Sequence, residues 1–506
     1  MTSYLLGIDA GNTMTKAVLF DLHGKEVGAE RRRNPIRFSA PGHTERDADR
    51  MWQEAAEAIR ALLQNTGVVP ADVAAISTSG YGAGLYLVDE RGNPTRSGIM
   101  STDSRANQVI DRWGRDNLAE KNQLRVQQRF WSGQPAPLLS WLSVHEPEVC
   151  RHTRRIVWCK DFLRGKLCGV YDTDPTDAGI AGLIDVTGRR YDREFFEELG
   201  IDAWWDKLPE IAPSTAIAGR LTAAAAGLTG LLEGTPVVRG VVDVVSAALA
   251  SGVQTPNQMS VIAGTFSINS TLHSTPRLDR LPLLQSPYPV GDLYLATEGS
   301  PTSASNFEWY CKSVLGPVVA AAAEDSGLTI YESLSSRVQS AMDRPNNILF
   351  LPFLFGGPES APAGFIGLEA AHNSGDIVRG IFEGIAFAHR LDIQALSAGR
   401  DVAPVDTIRL TGGAARSEPW MQIFADVLGL PVEITGCSEL GALGSAMAAA
   451  VGLGEYATWN EAIGNMVHVT RRIEPRSDWQ AFYSGKYRRF QDHVHALAAL
   501  SKSRMD

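Results

Sequence analysis

The stretch YLLGIDAGNTMTKAVLFD, residues 4–21, restricts the fold of this chain more than any other. Two apolar runs rich in β-forming residues flank a short Gly/Asn segment, and this pattern predicts a β-hairpin. The pattern restarts at residue 258, where QMSVIAGTFSINSTLHS again places a Gly-Thr turn between two β-rich runs. A hairpin that recurs about half a chain later predicts two related halves, each beginning with its own turn.

The turn of the first hairpin carries the groups that a phosphate chain would need. No bulky side chain stands between Asp9 and Met14, so backbone N–H groups there can approach a ligand closely. The hydroxyls of Thr13 and Thr15 and the cation of Lys16 belong to the same short segment. Asp9 is placed to hold a hydrated Mg²⁺ ion. The alternative is an ordinary surface hairpin whose first strand ends in an acid, and the residues alone leave both open.

Composition places the chain among ordinary globular proteins and removes several classes of function. With 506 residues it is too long for one hydrophobic core, so two or more domains are expected. The formal net charge of −10 argues against a nucleic-acid surface, and no apolar run approaches the roughly 20 residues that span a bilayer. The first residues enter a strand with no basic segment or cleavage site, and the cysteines lack CxxC spacing. We therefore expect a cytoplasmic protein with reduced thiols and with no nucleic-acid or membrane partner.

A second notable acid stands in the segment TPVVRGVVDVVSAALASG, residues 235–252. The pattern predicts a β-branched strand that ends near Val242 and a helix over 246–251. Asp243 therefore lies where a strand passes into a helix. It could cap that helix, a position that Asp commonly fills. It could instead project a carboxylate into a cleft at the carboxyl edge of a sheet, where open α/β sheets bind ligands.

Two glycine-rich loops follow predicted strands. The first is SGYGAG, residues 79–84, which comes after a short buried strand at a place where such sheets bind ligands. The second is TGGAA, residues 411–415, between a strand and an amphipathic helix. A Gly-Gly turn in that position is typical of a nucleotide site, with a flat apolar slot beside the helix N-terminus. Residues 441–454, GALGSAMAAAVGLG, predict a helix of small side chains against which other backbone can pack closely.

Taken in chain order, these segments resemble the FGGY family of carbohydrate kinases over roughly residues 4–490. The matching segments are GIDAGNTMTKAVLFD (7–21), the stretch 45–52, Asp103 with Arg105, GVVDVVSAALASG (240–252), AGTF (263–266), 364–387, 411–427 and 439–456. The resemblance implies an α/β, actin/hexokinase-like (ribonuclease H-like) fold of two domains, with ATP and sugar in the interdomain cleft. It places the N-terminal domain, with the sugar site, the first phosphate hairpin and the catalytic acid, at 1–252. The C-terminal domain, with the ATP and adenine site, is placed at 253–506.

The resemblance also assigns roles to single residues, position by position. Asp243 becomes the base that accepts the proton of the attacking hydroxyl, a role that does not exclude capping. Asp9 would hold Mg²⁺ through water, and Lys16 stands where the family often has Arg. The residues expected to contact ATP are Gly11, Asn12, Thr13, Lys16, Gly264, Thr265, Gly412, Gly413, Ala414 and Ser417.

The substrate is less constrained, because the chain departs from the family at a sugar-binding loop. Gly82-Ala83 stands where xylulose kinases have a Met-His pair and glycerol kinases an Arg-Glu pair, and neither side chain can hydrogen-bond a sugar. Leu138 also replaces a Lys that is common in the family. SGYGAGLYLVD, IMSTDSRA and SPTSASNFEW are most similar to the L-xylulose kinase branch, with erythritol and pentitol kinases as neighbours. The implied substrate contacts are Ser79, Tyr81, Asp103, Trp131, Asp243, Phe266 and Asn306, although Trp131 and Phe266 could instead be packing residues.

The expected function is transfer of the γ-phosphoryl group of ATP to a hydroxyl of a small linear ketose or polyol. A ketopentose such as L-xylulose is the first choice of substrate, and erythritol or a pentitol is the alternative. A non-catalytic sugar or nucleotide sensor on the same fold is the alternative of another class. A homodimer is one option for the oligomeric state.

Overall fold

The computed structural model describes residues 3–316, 327–399 and 402–502. The chain forms two compact units, each built from three segments. The first unit contains Met1–Gln254, Leu272–Ala296 and Cys437–His468. The second contains Thr255–Thr271, Thr297–Gly436 and Val469–Asp506. The boundary predicted near residue 252 has a counterpart at Gln254, but two later segments return to the first unit.

Strands occur throughout both units. In chain order among the described residues they are β1 (Tyr4–Ala10), β2 (Met14–Asp21), β3 (Glu26–Arg33), β4 (Arg37–Phe38), β5 (Thr44–Arg46), β6 (Val73–Gly80), β7 (Tyr86–Val88), β8 (Gly98–Ile99), β9 (Arg155–Val157), β10 (Ile184–Asp185), β11 (Arg190–Tyr191), β12 (Ile217–Arg220), β13 (Pro236–Val238), β14 (Gln258–Ala263), β15 (Ser267–His273), β16 (Leu284–Pro287), β17 (Tyr294–Ser300), β18 (Leu349–Leu351), β19 (Gly364–Ile366), β20 (Thr407–Gly412), β21 (Val432–Thr435) and β22 (Val469–Ile473).

Helices alternate with these strands, as expected of an α/β fold. Among the described residues they are α1 (Ala48–Thr66), α2 (Asn107–Arg115), α3 (Leu118–Val126), α4 (Pro135–His145), α5 (Pro147–His152), α6 (Cys159–Cys168), α7 (Pro175–Ile180), α8 (Arg193–Glu198), α9 (Ala223–Thr229), α10 (Asp243–Ala250), α11 (Ala304–Trp309), α12 (Ile330–Gln339), α13 (Ser374–Ser397), α14 (Glu418–Leu428), α15 (Leu440–Leu453), α16 (Trp459–Met466) and α17 (Gln480–Lys502). In this described part of the chain, no helix combines the length and apolar character that a membrane crossing requires.

The first sheet has six described strands in the order β12-β13-β6-β1-β2-β3. Strand β1 runs antiparallel to β2 and parallel to β6, with Asp9 opposite Lys16 on one side and Ser79 on the other. Helix α15 packs against β1 and β6, and α1 packs against β2 and β3, so most apolar residues of β1, β2 and β6 are buried, whereas no residue of the edge strand β3 is. The hairpin predicted for residues 4–21 is confirmed, and its turn lies at the carboxyl edge of β1 and β6.

The second sheet repeats this local arrangement. Its seven described strands run in the order β16-β17-β15-β14-β20-β21-β22. Strand β14 pairs antiparallel with β15 and parallel with β20, so that Ala263 lies opposite both Ser267 and Gly412. The hairpin predicted from residue 258 is therefore confirmed. Because β14 and β20 are parallel, the Gly264 turn and the Gly-Gly turn lie at the same sheet edge.

Small residues let α15 approach its neighbours at backbone distance, as the sequence predicted. A Cβ added to Gly7 of β1 would lie 2.2 Å from the carbonyl oxygen of Ala442. One added to Gly444 would lie 2.3 Å from the Oγ of Ser246 in α10. The Ser246 hydroxyl also donates to the carbonyl of Gly441 at 2.6 Å. The packing of α15 against β1 and α10 therefore requires glycine at these positions.

The strand before Asp243 is shorter than predicted. The β-branched pattern suggested a strand that ends near Val242, but β13 ends at Val238. Gly240 interrupts it with φ +77°, and a Cβ there would come within 1.9 Å of the carbonyl oxygen of Thr78. The chain contacts the backbone of β6 at this point and enters α10 at Asp243, so the predicted junction exists but is a short loop.

Candidate functional site

The carboxylate of Asp9 lies at the carboxyl edge of the first sheet. It rests against the Cα of Gly441 in α15, where an added Cβ would come within 2.4 Å of the Asp9 Cγ. Lys16 faces it across the hairpin, with Nζ 4.0 Å from Oδ2. Oδ1 is buried without a hydrogen-bond partner, and burial raises the pKa of Asp9 against the opposing effect of Lys16. A buried carboxylate oxygen that lacks a donor fits contact with a hydrated cation.

Asp9 would hold such a cation with few other protein ligands. Among the described residues, no three His, Cys, Asp or Glu side chains gather into a metal-binding group. Mg²⁺ keeps several waters and is usually held by one or two carboxylates together with substrate phosphates. The donor set at Asp9 therefore fits the predicted magnesium contact through water.

Glu439 belongs to this site and was not found from the sequence. Its Oε2 lies 2.9 Å from the Nζ of Lys16, and its Oε1 accepts from the Nε of Arg31 at 3.1 Å. Its side chain is only 6% exposed, so solvent screens these pairs weakly. Part of the positive charge of Lys16 is therefore balanced within the protein, and its contact with a phosphate stays a prediction. The available signal was its position, since Glu439 immediately precedes the small-residue helix that packs on β1.

The turn of the first hairpin is closed by its own backbone. The N–H of Gly11 donates to the carbonyl of Met14 at 2.9 Å. Arg46, a buried cation that the sequence did not single out, donates to the carbonyls of Gly11 and Asn12. The Gly11 N–H is therefore engaged in the turn, and contact of Gly11 with the phosphates stays a prediction. Thr13 is exposed, and contacts of Asn12 and Thr13 with ATP stay predictions.

Asp243 is the first residue of α10 and does not cap it. The residue at the N-cap is Val242, which makes no side-chain hydrogen bond to the helix. The Oδ1 of Asp243 instead accepts from the N–H of Val244 at 2.7 Å, and its carboxylate also accepts from the N–H of Gly82. The cap interpretation is therefore wrong, and the carboxylate is held by two backbone donors.

The electrostatic surroundings make Asp243 a better base than an ordinary carboxylate. Burial and, to a lesser degree, the negative charge of Asp9 raise its pKa, and the N–H groups of Val244 and Gly82 lower it, so that the pKa lies at about 7. A general base is most effective when its pKa lies near the working pH. The structure thus brings Asp9, Lys16, Gly82 and Asp243 of the first unit into one site.

Gly82 and Ala83, the departure from the family pattern, have a structural role. A Cβ added to Gly82 would lie 2.4 Å from the Cγ2 of Ile180 and 2.9 Å from the Cγ2 of Val242. Ala83 is fully buried and has φ +59°, a conformation that residues with a Cβ seldom adopt. These contacts leave no room for a side chain at residue 82, so this loop offers the sugar no hydrogen-bonding side chain. The loop instead donates a backbone N–H to Asp243.

Two of the other residues in the first unit that were predicted to contact the sugar form hydrogen bonds with protein groups. The Tyr81 hydroxyl lies 2.8 Å from that of Tyr86 within the hydrophobic core. Both oxygens of Asp103 accept hydrogen bonds, from the Thr44 N–H and from Arg105, and its residue exposure is 1%. The side chains of these two residues therefore stabilise the fold, and their direct contact with a sugar stays a prediction.

Ser79 and Trp131 are the remaining predicted contacts of this unit. The Ser79 hydroxyl is buried at the end of β6, beside Asp9 in register, and has no hydrogen-bond partner. The indole N–H of the half-buried Trp131 donates to the carbonyl of Ser101 at 3.3 Å. Ser79 thus keeps an unused hydroxyl at the sheet edge that carries Asp9.

In the second unit, the glycines of the two turns have different roles. A Cβ on Gly412, where φ is +88°, would lie 2.6 Å from the carbonyl oxygen of Ala263, so this glycine serves the packing of the turn. A Cβ on Gly264 or Gly413 would meet nothing nearer than 3.8 Å. Gly264 and Gly413 therefore leave open space, as backbone that approaches a ligand requires.

Three further predicted residues of this unit are buried. Ala414 is 0% exposed, and the hydroxyl of Ser417 lies 2.8 Å from that of Ser335. The Asn306 amide donates to Thr302 Oγ1 at 3.0 Å, while its Oδ1 is buried without a partner. The side chains of Ala414 and Ser417 thus pack inside the unit, and their contact with adenine stays a prediction.

A cleft of about 350 Å³ adjoins the second hairpin. Phe266, predicted as a substrate contact, is 45% exposed on its wall, next to Thr265. Aromatic rings, hydroxyls and an ion pair form the lining, which consists of Thr265, Phe266, Pro301, Ser305, Glu308, Trp309, Lys312, Ser313 and Phe355. The second unit thus brings Gly264, Thr265 and Phe266 to the rim of an open cleft.

Comparison with known proteins places this geometry in a family. Models of the FGGY family of carbohydrate kinases match the chain, the N-terminal domain over residues 4–250 and the C-terminal domain over residues 259–453. An L-xylulose/3-keto-L-gulonate kinase of Escherichia coli (strain K12) is 34% identical over 503 residues, which cover 99% of this chain and 98% of that protein.

Solved structures agree with this likeness. A gluconate kinase from Lactobacillus acidophilus matches with a TM-score of 0.87 at 22% identity and covers 99% of each chain. A xylulose kinase from Rhodospirillum rubrum matches with a TM-score of 0.85 at 25% identity, over 98% of this chain and 99% of that chain. These matches confirm the predicted two-domain α/β fold of a sugar kinase.

Proposed function

Because the chain belongs to the FGGY family of carbohydrate kinases, we propose that it phosphorylates a linear ketopentose such as L-xylulose, with ATP as the donor. The observation that carries the chemistry is Asp243, a carboxylate held by two backbone N–H groups with its pKa raised to about 7. The relative named for L-xylulose and 3-keto-L-gulonate supports the substrate class. We expect the protein to act in the cytoplasm, where ATP is available.

The proposed reaction forms one bond to phosphorus and breaks another. The acceptor hydroxyl oxygen bonds to the γ-phosphorus, the bond from that phosphorus to the β–γ bridging oxygen breaks, and ADP leaves with the electron pair. The hydroxyl proton passes to the carboxylate of Asp243. Catalysis then depends mainly on the positioning of the acceptor and on the stabilisation of charge, since little covalent chemistry falls to the protein.

Each unit supplies groups that suit one part of this reaction. In the first unit, Asp9 would hold Mg²⁺ through water. When bound, that ion would offset the negative charge of the phosphoryl oxygens. In the second unit, open backbone at Gly264 and Gly413 supports close approach of the nucleotide. The buried neighbours of Asp243 keep its charge weakly solvated, which favours proton uptake.

A dependence on pH follows from the surroundings of Asp243. We expect kcat/KM for the sugar to fall as the pH decreases through about 7, since only the ionised carboxylate accepts a proton and its pKa is raised from 3.8 to about 7. Initial rates of ADP formation between about pH 5.5 and 8.5 would check this. In the Asp243→Asn variant, the residual rate should not fall in this way as the pH decreases. A wild-type rate that stayed level across this whole pH range would contradict the assignment.

Substrate choice provides a separate prediction. A linear ketopentose should give a higher kcat/KM than glycerol or a pyranose aldose, because the Gly82-Ala83 loop has no side chain to hydrogen-bond a small triol. Coupled detection of ADP across three- to six-carbon ketoses and polyols would measure it. Erythritol or a pentitol as best substrate would select the alternative polyol kinase, and glycerol as best substrate would contradict the branch. The absence of any ADP formation that depends on an added sugar would favour a non-catalytic sensor.

A further inference from the structure

A group of charged side chains is buried in α6 and the segment that follows it. Lys160, Asp161 and Asp174 are all 0% exposed. The Nζ of Lys160 lies 2.5 Å from Asp161 Oδ1 and 2.9 Å from Asp174 Oδ1. Burial by itself lowers the pKa of Lys160, but the neighbouring carboxylates more than reverse this and raise it, so the cation persists at neutral pH. A buried charge without a partner destabilises a protein strongly, so the fold requires these ion pairs.

One carboxylate of this group determines the orientation of a hydroxyl. Asp174 Oδ2 accepts from the hydroxyl of Thr176 at 2.7 Å and from that of Ser214 at 2.7 Å. Since a hydroxyl has one proton, the Thr176 oxygen can only accept from its other neighbours. It accepts the N–H of Val242 at 3.1 Å. Val242 is the residue immediately before Asp243.

The same short helix supports the second donor to Asp243. Ile180 ends α7, and its Cγ2 would lie 2.4 Å from a Cβ on Gly82. The Cγ2 of Val242 packs against the same glycine, at 2.9 Å from that position. The N–H of Gly82 is one of the two donors to the Asp243 carboxylate. Helix α7 therefore contacts both the peptide that precedes Asp243 and the loop that donates to it.

We propose that Thr176 is a positioning residue for Asp243, and that Asp174 and Lys160 hold the Thr176 hydroxyl in the required orientation. The hydroxyl holds the Val242 peptide and thereby sets the direction in which the Asp243 side chain leaves the start of α10. This inference rests on the proposed role of Asp243 as the base. A misplacement of a reacting group by about 1 Å can lower a rate by about 10²-fold, so a hydroxyl without substrate contact can affect kcat.

The test replaces the hydroxyl of Thr176 by a methyl group, which keeps the shape of the side chain. Thr176→Val should lower kcat with the ketopentose by about 10- to 100-fold and leave KM for ATP close to wild type. Thr176→Ser retains the hydroxyl and should restore kcat to within about twofold of wild type. Thr176→Ala, which adds no methyl group beside the Val242 N–H, serves if the Val variant does not fold. Thr229→Val is the matched control, because that buried hydroxyl likewise accepts an N–H, although it donates to a backbone carbonyl and not to a carboxylate.

A double variant separates positioning from general loss of structure. If Thr176 acts through Asp243, Thr176→Val added to Asp243→Asn should lower kcat no further than Asp243→Asn alone. Full additivity of the two losses, or wild-type kcat in both Thr176→Val and Thr176→Ala, would overturn the inference while leaving the base intact. Wild-type kcat in Asp243→Asn would remove the base itself and this inference with it. Melting curves of all variants show which of them are folded.

Discussion

Replacement of Asp243 by Asn is expected to lower kcat with the sugar by about 10²–10⁴-fold while the protein stays folded. An amide cannot take the proton of the attacking hydroxyl, so the loss should appear in kcat. KM for ATP should stay close to wild type, because the proposed nucleotide contacts are other residues. The Asn oxygen can still accept from the N–H of Val244. Loss of a charge that Asp9 and burial both disfavour should leave the melting temperature unchanged or raise it.

Steady-state kinetics beside a melting curve would measure both effects. Asp192→Asn is the matched control, since Asp192 caps α8 by accepting the N–H of Glu194 at 3.0 Å and is not among the proposed site residues. That control should keep wild-type kcat. Uncoupled ATP hydrolysis should fall less than sugar phosphorylation, because a loose transition state requires little help from a base. An unchanged kcat with the sugar would end the assignment of Asp243 as the base.

Replacement of Gly264 by Val should remove most ATP turnover, by about 100-fold, without unfolding the second unit. A Cβ at this position meets nothing nearer than 3.8 Å, so the fold itself has room for it. The open space is where the hairpin backbone would approach the phosphates, and a β-branched side chain would fill it. Saturation with ATP at high concentration should recover part of the rate if binding alone is weakened.

Two other glycines of the second unit provide control variants for this prediction. Gly485→Val, in α17, also places a Cβ where no atom lies within 4 Å, and it should retain turnover. Gly412→Val should destabilise the unit, because φ is +88° and its Cβ would lie 2.6 Å from the Ala263 carbonyl. Wild-type turnover in a folded Gly264→Val variant would show that the second hairpin has only a structural role.

The hairpins and the Gly-Gly turn could be predicted because each depends on a few consecutive residues. Short turns between β-rich runs set the pairing register locally, which places Asp9 opposite Lys16 and Ala263 opposite Ser267. The passage from strand to helix around Asp243 is local as well, since it follows from the change of pattern along the chain, although α10 begins at Asp243 and not at Ser246 as predicted. The end of β13 was misjudged, because the contact of Gly240 with Thr78 is made across strands.

The sequence by itself thus determined which acids, hydroxyls and glycines stand at turns and strand ends. What those groups contact was decided by the tertiary structure. Arg31 and Glu439, 408 residues apart, share an ion pair beside Lys16. The Tyr81 hydroxyl, expected to meet a sugar, is bound to Tyr86 in the core. The partner of a side chain depends on which distant segment packs against it, and burial then decides whether that group must be paired, so no short-range pattern encodes either outcome.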